Sequence, residues 1–166
     1  MDLYLVRHAI AEERDPERWP NDAERPLTRE GEQRFRAVAR GLRRIVPRVD
    51  LVLSSPYTRA WQTAKMLEAL AGWPAAQECP ALMAGQSPAT MLEALEPYAA
   101  SGSVALVGHE PDLSALAAHL IGAAADEARI QMKKGGVAAL RFEGDVQTAR
   151  ATLRWLLPPS IMRSLK

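Results

Sequence analysis

The sequence predicts an α/β fold, a three-layer α/β/α sandwich in which helices cover both faces of a mostly parallel, mixed sheet. Three observations lead to this prediction. Continuous apolar runs at residues 3–6, 51–53 and 104–107 have the length and composition of buried parallel strands. Helical patterns separate these runs along the chain. After Gly135-Gly136 the pattern changes to the alternation typical of a hairpin, which makes the sheet mixed.

Two helices are predicted around the second strand. The first runs from Thr28, a suitable N-cap, to about Val46, and its apolar residues recur at helical spacing. The second begins at Ser55-Pro56, where serine caps the helix and proline takes the first helical position. Gly72 ends it.

Two further helices and a hairpin complete the predicted order. A third helix spans about residues 88–98, and a fourth begins at Pro111. Residues 137–142 and about 148–156 are the two strands of a hairpin at one edge of the sheet. These elements occupy nearly all of the 166 residues, so we expect a single domain over residues 1–166.

The amino-acid composition argues against several classes of function and binding site. The chain has 21 Lys and Arg against 20 Asp and Glu, and a net charge of +1 argues against a dedicated binder of nucleic acid or membrane surfaces. Cys79 is the only cysteine, so neither an intrachain disulfide nor a cysteine-based metal site is available. No apolar run resembles a signal peptide or a membrane span, and we expect a cytoplasmic protein. Because no strand edge or apolar stripe demands a partner, we also expect a monomer.

Reactive side chains follow the predicted strands at the edge where a parallel sheet binds its ligands. Arg7-His8 follows the first strand, residues 54–59 follow the second, and His109 follows the strand at 104–107. The remaining histidine, His119, lies inside the fourth helix, where we expect it to be structural or exposed.

This combination indicates phosphate chemistry. A neutral imidazole nitrogen can attack phosphorus, and a planar guanidinium holds phosphoryl oxygens through two parallel hydrogen bonds. The N-terminus of a helix starting at Ser55 favours an anion, which Arg59 can reach from one turn further along. Taken singly, an Arg-His pair arises by chance and a serine before proline is usually only a cap. A metal site would need three or four ligands, which no histidine-rich spacing provides.

Four motifs occur in a specific order along most of the chain. They are LVRHA at 5–9, RPLT at 25–28 followed by Gly31, SSPYTRAWQTA at 54–64 and VGHEP at 107–111. With these motifs the chain resembles the histidine phosphatase superfamily, which has the phosphoglycerate mutase-like fold, and within it the small SixA-type phosphohistidine phosphatase branch. The third motif is the most specific of the four.

The resemblance implies a role for several motif residues. His8 would be the nucleophile that becomes transiently phosphorylated, while Arg7, Arg59 and a protonated His109 would surround the phosphoryl group. Arg25 resembles an additional anion contact. No metal and no cofactor is required.

Two more residues complete the candidate site. Ser55 and Glu110, together with Arg25, are the candidate substrate-binding residues. With His8 as nucleophile, we expect activity to fall as His109 loses its proton and as His8 gains one.

The resemblance also draws attention to a missing acid. Many members of the superfamily supply a glutamate general acid from the loop after the third strand, but residues 82–85 here are Leu-Met-Ala-Gly. A phosphoramidate has a weaker bond to its leaving group than a phosphate ester, and solvent can protonate its nitrogen, so phosphohistidine on a protein partner is the favoured substrate. Glu12, Glu13 and Glu110 are candidate substitutes for the acid. A small-molecule phosphomonoesterase and a non-catalytic phosphate-recognising module are the alternative functions.

Overall fold

The computed structural model describes residues 1–122, 130–144 and 150–165. The strands in these ranges are β1 (Asp2–Arg7), β2 (Leu51–Ser54), β3 (Gln77–Glu78), β4 (Ser103–Gly108), β5 (Val137–Phe142) and β6 (Ala151–Leu157). The α-helices are α1 (Arg29–Ile45), α2 (Thr58–Ala71), α3 (Pro88–Leu95), α4 (Asp112–Leu120) and α5 (Pro159–Ser164). None of the helices in this part of the chain has the length and hydropathy of a membrane span.

The described strands form one mixed sheet in the order β3-β2-β4-β1-β5-β6. β1 and β2 pair in parallel with β4, β3 is parallel to β2, and β5 is antiparallel to both β1 and β6. The register places Arg7 beside Gly108 and Ser54 beside Val107, so the carboxyl ends of β1, β4 and β2 coincide. The predicted α/β architecture with a mostly parallel, mixed sheet is confirmed.

Apolar cores lie on both faces of the sheet. On one face, residues of α1 and α2 such as Phe35 and Leu67 pack with Val107 of β4. On the other face, residues of α3 and α4 such as Leu95 pack with Leu106 of the same strand. Because successive strand side chains point to opposite faces, each central strand must be apolar throughout, which explains the continuous runs in the sequence.

Glycines let α1 lie close to its neighbours. The Thr28 hydroxyl oxygen accepts a hydrogen bond from the Gly31 N–H at 2.9 Å, so Thr28 caps the helix as predicted. A Cβ atom on Gly31 would collide with the Ile10 carbonyl oxygen, and one on Gly41 would collide with that of Met162. The first contact fixes the chain leaving β1, and the second allows α5 to pack on α1.

The predicted start of α2 is wrong. The helix begins at Thr58 rather than at Ser55-Pro56, and its N-cap residue, Tyr57, makes no side-chain capping bond. The Ser55 hydroxyl instead bonds a histidine from another strand, a long-range contact that local sequence preference does not report. Gly72, in the left-handed conformation with φ 76°, ends α2 as predicted.

Smaller differences concern the second half of the chain. The helical stretch predicted at 88–98 consists of α3 followed by a 3₁₀ turn over Glu96–Tyr98. The sequence does not predict the short edge strand β3 or the helix α5. Of the second predicted hairpin strand, residues 148–149 lie outside the described residues, and β6 is described from Ala151.

Candidate active site

The two histidines that follow β1 and β4 lie side by side. The strands are neighbours in register, and the His8 N–H donates to the Gly108 carbonyl at 3.0 Å. The His8 and His109 rings have centroids 5.2 Å apart at an interplanar angle of 57°. The residues are only 7% and 3% exposed, so both imidazoles are shielded from solvent. The structure therefore brings together the pair that strand topology predicts.

Hydrogen bonding fixes the tautomer of His8. Its Nδ1 lies 2.7 Å from the Ala9 carbonyl oxygen, which can only accept, so Nδ1 carries the proton and Nε2 has a free lone pair. The turn is held in place by Thr63, whose hydroxyl oxygen accepts the Ala9 N–H at 3.0 Å and donates to the Arg59 carbonyl at 2.7 Å. The ring thus presents an unprotonated nitrogen.

His109 has the opposite arrangement. Its Nε2 lies 2.9 Å from the Ser55 hydroxyl oxygen, which also accepts the Tyr57 N–H at 3.3 Å. No other acceptor for the Ser55 hydroxyl is found among the described residues, so this hydroxyl is satisfied when it donates to His109 Nε2, and the neutral ring then carries its proton on Nδ1. This Nδ1 is buried and has no partner among the described residues.

Arg7 and Arg59 each keep a free donor at the site. Arg7 donates from Nη1 to the Met132 carbonyl at 2.6 Å, and Arg59 donates to the carbonyl and carboxylate of Asp22 at 2.7 and 2.9 Å. In the described part of the chain, the buried Nε of each arginine has no hydrogen-bond partner. Both guanidinium groups are therefore held in place with an N–H group still available.

Asp22 forms ion pairs with two arginines, Arg25 in the loop before α1 and Arg59 on α2. Arg25 donates from Nε to Asp22 at 2.8 Å and from Nη1 to the Glu12 carbonyl at 2.6 Å. Burial alone would raise the pKa of Asp22, but the hydrogen bonds and charges of Arg25 and Arg59 outweigh it and lower that pKa. Arg25 thus lies in the same charged network as Arg59.

Burial favours the neutral form of both histidines. Burial lowers the pKa of His8 to about 3 and that of His109 to about 3, and the positive charges of Arg59 and Arg7 act in the same direction. Burial therefore favours the neutral form of His109 in the free protein, whereas the sequence analysis expects a protonated ring around a bound phosphoryl group. The sequence places arginines near this histidine but does not report how completely the ring is desolvated.

Glu110 is the candidate acid that lies next to the histidine pair. Burial raises the pKa of its carboxyl group, although hydrogen bonds from the Ser114 hydroxyl at 2.7 and 2.8 Å oppose the shift. Glu12 instead pairs with Arg18 at 3.3 Å, and Glu13 is exposed. The environment of Glu110 therefore favours the protonated form of its carboxyl group.

Other reactive residues lie outside this arrangement. His119 is exposed on α4, and Cys79 is a buried thiol whose pKa burial raises. Within residues 1–122, 130–144 and 150–165, no three His, Cys, Asp or Glu side chains are grouped so that they could hold a metal ion.

Three site residues have no role in the sequence prediction. Asp22 orients Arg59, Thr63 holds the turn after His8, and the Tyr57 ring lies between Arg59 at 4.9 Å and His109 at 5.0 Å. One signal is present in the sequence: Thr63 is, with Arg59, one of two polar residues on the buried face of α2.

Comparison with known proteins identifies the family. A relative from Picosynechococcus sp., an uncharacterized protein, is 36% identical over 143 residues, which are 85% of this chain and 85% of the relative. The model of the histidine phosphatase superfamily (branch 1) matches residues 3–83. The chain belongs to the histidine phosphatase superfamily. The resemblance carried by the four motifs is confirmed.

Solved structures place the superfamily fold over nearly the whole chain. The protein histidine phosphatase SixA complexed with tungstate has a TM-score of 0.83 at 24% identity, covering 98% of this chain and 99% of that one. A candidate phosphohistidine phosphatase SixA from Nakamurella multipartitia has a TM-score of 0.77 at 28% identity, covering 95% of each chain. A candidate alpha-ribazole-5'-P phosphatase from Escherichia coli str. K-12 substr. MG1655 has a TM-score of 0.73 at 21% identity, covering 96% and 97%. Superfamily phosphatases with different substrates thus share this fold.

Proposed function

We propose that the protein is a phosphatase that transfers a phosphoryl group from phosphohistidine on a protein to His8 and then to water. The observation that carries the proposal is the set of buried side-chain nitrogens without a partner in the described chain: Arg7 Nε, Arg59 Nε and His109 Nδ1. They belong to the three residues expected to surround a phosphoryl group. Phosphoryl oxygens are strong acceptors for such donors, and N–H groups already held in position are the main means of stabilising this transfer.

The first step would form a phosphohistidine on the enzyme. The lone pair of His8 Nε2 forms a bond to phosphorus while the bond between phosphorus and the leaving nitrogen breaks. The Ala9 carbonyl, which accepts from Nδ1, stabilises the positive charge that the His8 ring gains. Solvent protonates the leaving imidazole.

The second step would restore the enzyme. A water oxygen attacks phosphorus, the bond from phosphorus to Nε2 breaks, and the electron pair returns to the ring. The proton released by the water leaves with phosphate or passes to the carboxylate form of Glu110. Arg7, Arg59 and His109 stabilise the equatorial oxygens in both steps.

The loop at residues 82–85 supports a phosphoramidate substrate. It carries no acid, and the Gly85 N–H donates to the Asp112 carboxylate at 2.7 Å, which ties the loop to the start of α4. An alcohol leaving group would lose the factor of about 10² to 10⁴ that general acid catalysis typically contributes. A histidine leaving group depends less on general acid catalysis, because solvent can protonate its nitrogen. Similarity to SixA-type structures, one of them a complex with the oxyanion tungstate, supports a phosphohistidine phosphatase.

A small phosphomonoester is the second candidate substrate. The fold shared with the candidate alpha-ribazole-5'-P phosphatase favours it, and Glu110 would then have to act as the acid. Initial rates on a histidine-phosphorylated protein, an aryl phosphate and a set of sugar phosphates separate the two. We expect the phosphohistidine protein to give the highest kcat/KM. Turnover of sugar phosphates alone would exclude the phosphoprotein substrate.

A further inference from the structure

A basic groove lies beside the proposed nucleophile and has no part in the transfer just described. It has a volume of about 190 Å³ and is bounded by the chain after β1, α1, the segment before β5 and α5. Among the described residues that line it, four are cationic, namely Arg34, Lys133, Lys134 and Arg163, and none is acidic. All four are exposed, so their charges are available to a partner.

Backbone contacts fix this basic groove next to His8. Ala9 is one of its lining residues, and the N–H of Gly135, another lining residue, donates to the His8 carbonyl at 3.0 Å. Lys133 follows Met132, whose carbonyl accepts from Arg7 at 2.6 Å. The strand end that presents the nucleophile and the segment that carries two of the lysines therefore form one hydrogen-bonded unit.

The floor and rim of the groove differ in chemistry. Ile10, Phe35 and Val38 form an apolar floor beneath the cationic rim. Arg34 has one acidic neighbour, Glu30, at 2.5 Å, but both side chains are more than half exposed, and such pairs contribute little to stability. An occupant that presents carboxylates together with an apolar side chain complements both parts.

We propose that the basic groove binds an acidic segment of the phosphorylated protein substrate, beside the phosphohistidine that enters the site. This inference rests on the proposed function, because it assigns the groove to the same substrate. Proteins that bind a nucleic acid or an anionic membrane usually have an extended basic surface and a large positive charge. This chain has a net charge of only +1, so its cationic rim is a small basic patch on a nearly neutral protein. A rim of four cations around about 190 Å³ matches a short peptide segment better.

The test uses two synthetic peptides that carry the same phosphohistidine. One has Asp and Glu flanking the phosphohistidine, and the other has Asn and Gln at the same positions. For the wild-type protein at low salt we expect kcat/KM to be about tenfold higher for the acidic peptide, the effect of two or three exposed ion pairs in the middle of their usual range of strength. Raising the ionic strength to about 0.5 M should remove this preference.

Variants in which groove arginines become glutamate test whether the basic groove causes the preference for the acidic peptide. In the Arg34→Glu/Arg163→Glu variant the ratio of the two kcat/KM values should fall to about one, and the milder Arg34→Gln/Arg163→Gln variant should lower it in the same direction. Arg40→Glu/Arg44→Glu is the matched control, because it makes the same charge change on exposed positions of α1 outside the groove, and it should keep the tenfold ratio.

Each result decides between the proposals. Turnover of both peptides at equal rates by the wild-type protein would overturn the groove proposal and leave the proposed function standing, as would a ratio that survives both Arg34/Arg163 variants. Turnover of an aryl phosphate with neither peptide as a substrate would overturn the proposed function and the groove proposal together. Binding of a single-stranded oligonucleotide that requires Arg34 and Arg163, without a peptide preference, would assign the groove to nucleic acid instead.

Discussion

The turns after β1 and β4 place two histidines in nearly the same environment but prepare them for different chemistry. His8 and His109 follow paired strands in register, are almost fully buried and have pKa values lowered to about 3 by that burial. They differ in the partner of one ring nitrogen. A backbone carbonyl accepts from His8 Nδ1, whereas the Ser55 hydroxyl meets His109 Nε2.

In the proposed mechanism, hydrogen bonding rather than burial or charge distinguishes the nucleophile His8 from His109. A carbonyl can only accept, so it leaves His8 with a free lone pair at Nε2. The Ser55 hydroxyl finds its acceptor at His109 Nε2, which favours the tautomer of that ring with an N–H at Nδ1.

Removing the two rings should have unequal consequences. His8→Ala loses the atom that forms the covalent bond, and kcat/KM should fall by more than about 10⁴. His109→Ala loses one donor to the phosphoryl oxygens and should cost about 10² to 10³. Steady-state rates on a phosphohistidine substrate measure both, with circular dichroism to verify folding. Equal losses would mean that the two rings are not distinguished as proposed.

The arginines should also differ. Arg59→Lys keeps a charge but removes the planar donor set and the buried Nε, so we expect kcat/KM to fall by about 10². Arg25→Lys should cost only about tenfold, because two donors of Arg25 are already committed to Asp22 and Glu12. Kinetics of the two variants on the same substrate provide the comparison. A larger loss for Arg25→Lys would place the principal anion contact in the loop before α1.

Two adjacent buried serines allow a matched test of the partner of His109. Ser55→Ala removes the hydroxyl that fixes the His109 tautomer and should lower kcat by about tenfold. Ser54→Ala removes a hydroxyl that donates to the Ser55 carbonyl and touches neither histidine, so kcat should change by less than about twofold. Identical rates for the two variants would contradict a positioning role for Ser55.

The lowered pKa values predict the pH dependence of stability. Because each histidine is cationic below its pKa, the unfolded chain binds more protons than the folded protein between pH 3 and about 6.5, and stability is lost as the pH falls through this window. Near pH 5 each buried histidine should contribute a slope of about 1.4 kcal/mol per pH unit to the free energy of unfolding.

Urea denaturation of the wild-type protein and of His8→Asn, at several pH values between 4 and 7, measures this slope. The variant should show the smaller dependence. An unchanged slope would mean that His8 binds protons in the folded protein as it does in the unfolded chain, which would contradict its lowered pKa.

Much of the site could be predicted from the sequence because its residues follow strand ends. The carboxyl ends of parallel strands meet at one edge of a sheet, so identifying the runs before His8 and His109 was sufficient to place them together. The start of α2 could not be predicted in this way. Ser55 has the local character of a cap, but its hydroxyl bonds a ring 54 residues further along the chain.

Features that depend on packing were also beyond the sequence. The lowered pKa of His109 follows from its burial, and the link between Arg59 and Asp22 depends on how the loop before α1 folds back. The basic groove joins α1 to a helix at the far end of the chain, where Arg163 lies, and no local pattern relates the two. Contacts between distant segments therefore account for most of what the sequence did not predict.

Trapping the covalent intermediate is the most direct test of the proposed mechanism. Rapid acid-free quenching after mixing with a ³²P-labelled phosphohistidine substrate, followed by peptide mapping, reports which side chain carries the phosphate. We predict label on the peptide that contains His8 in the wild-type protein and no label on this peptide in His8→Ala. Label on His109, or full turnover by His8→Ala, would contradict the assignment of His8 as the nucleophile.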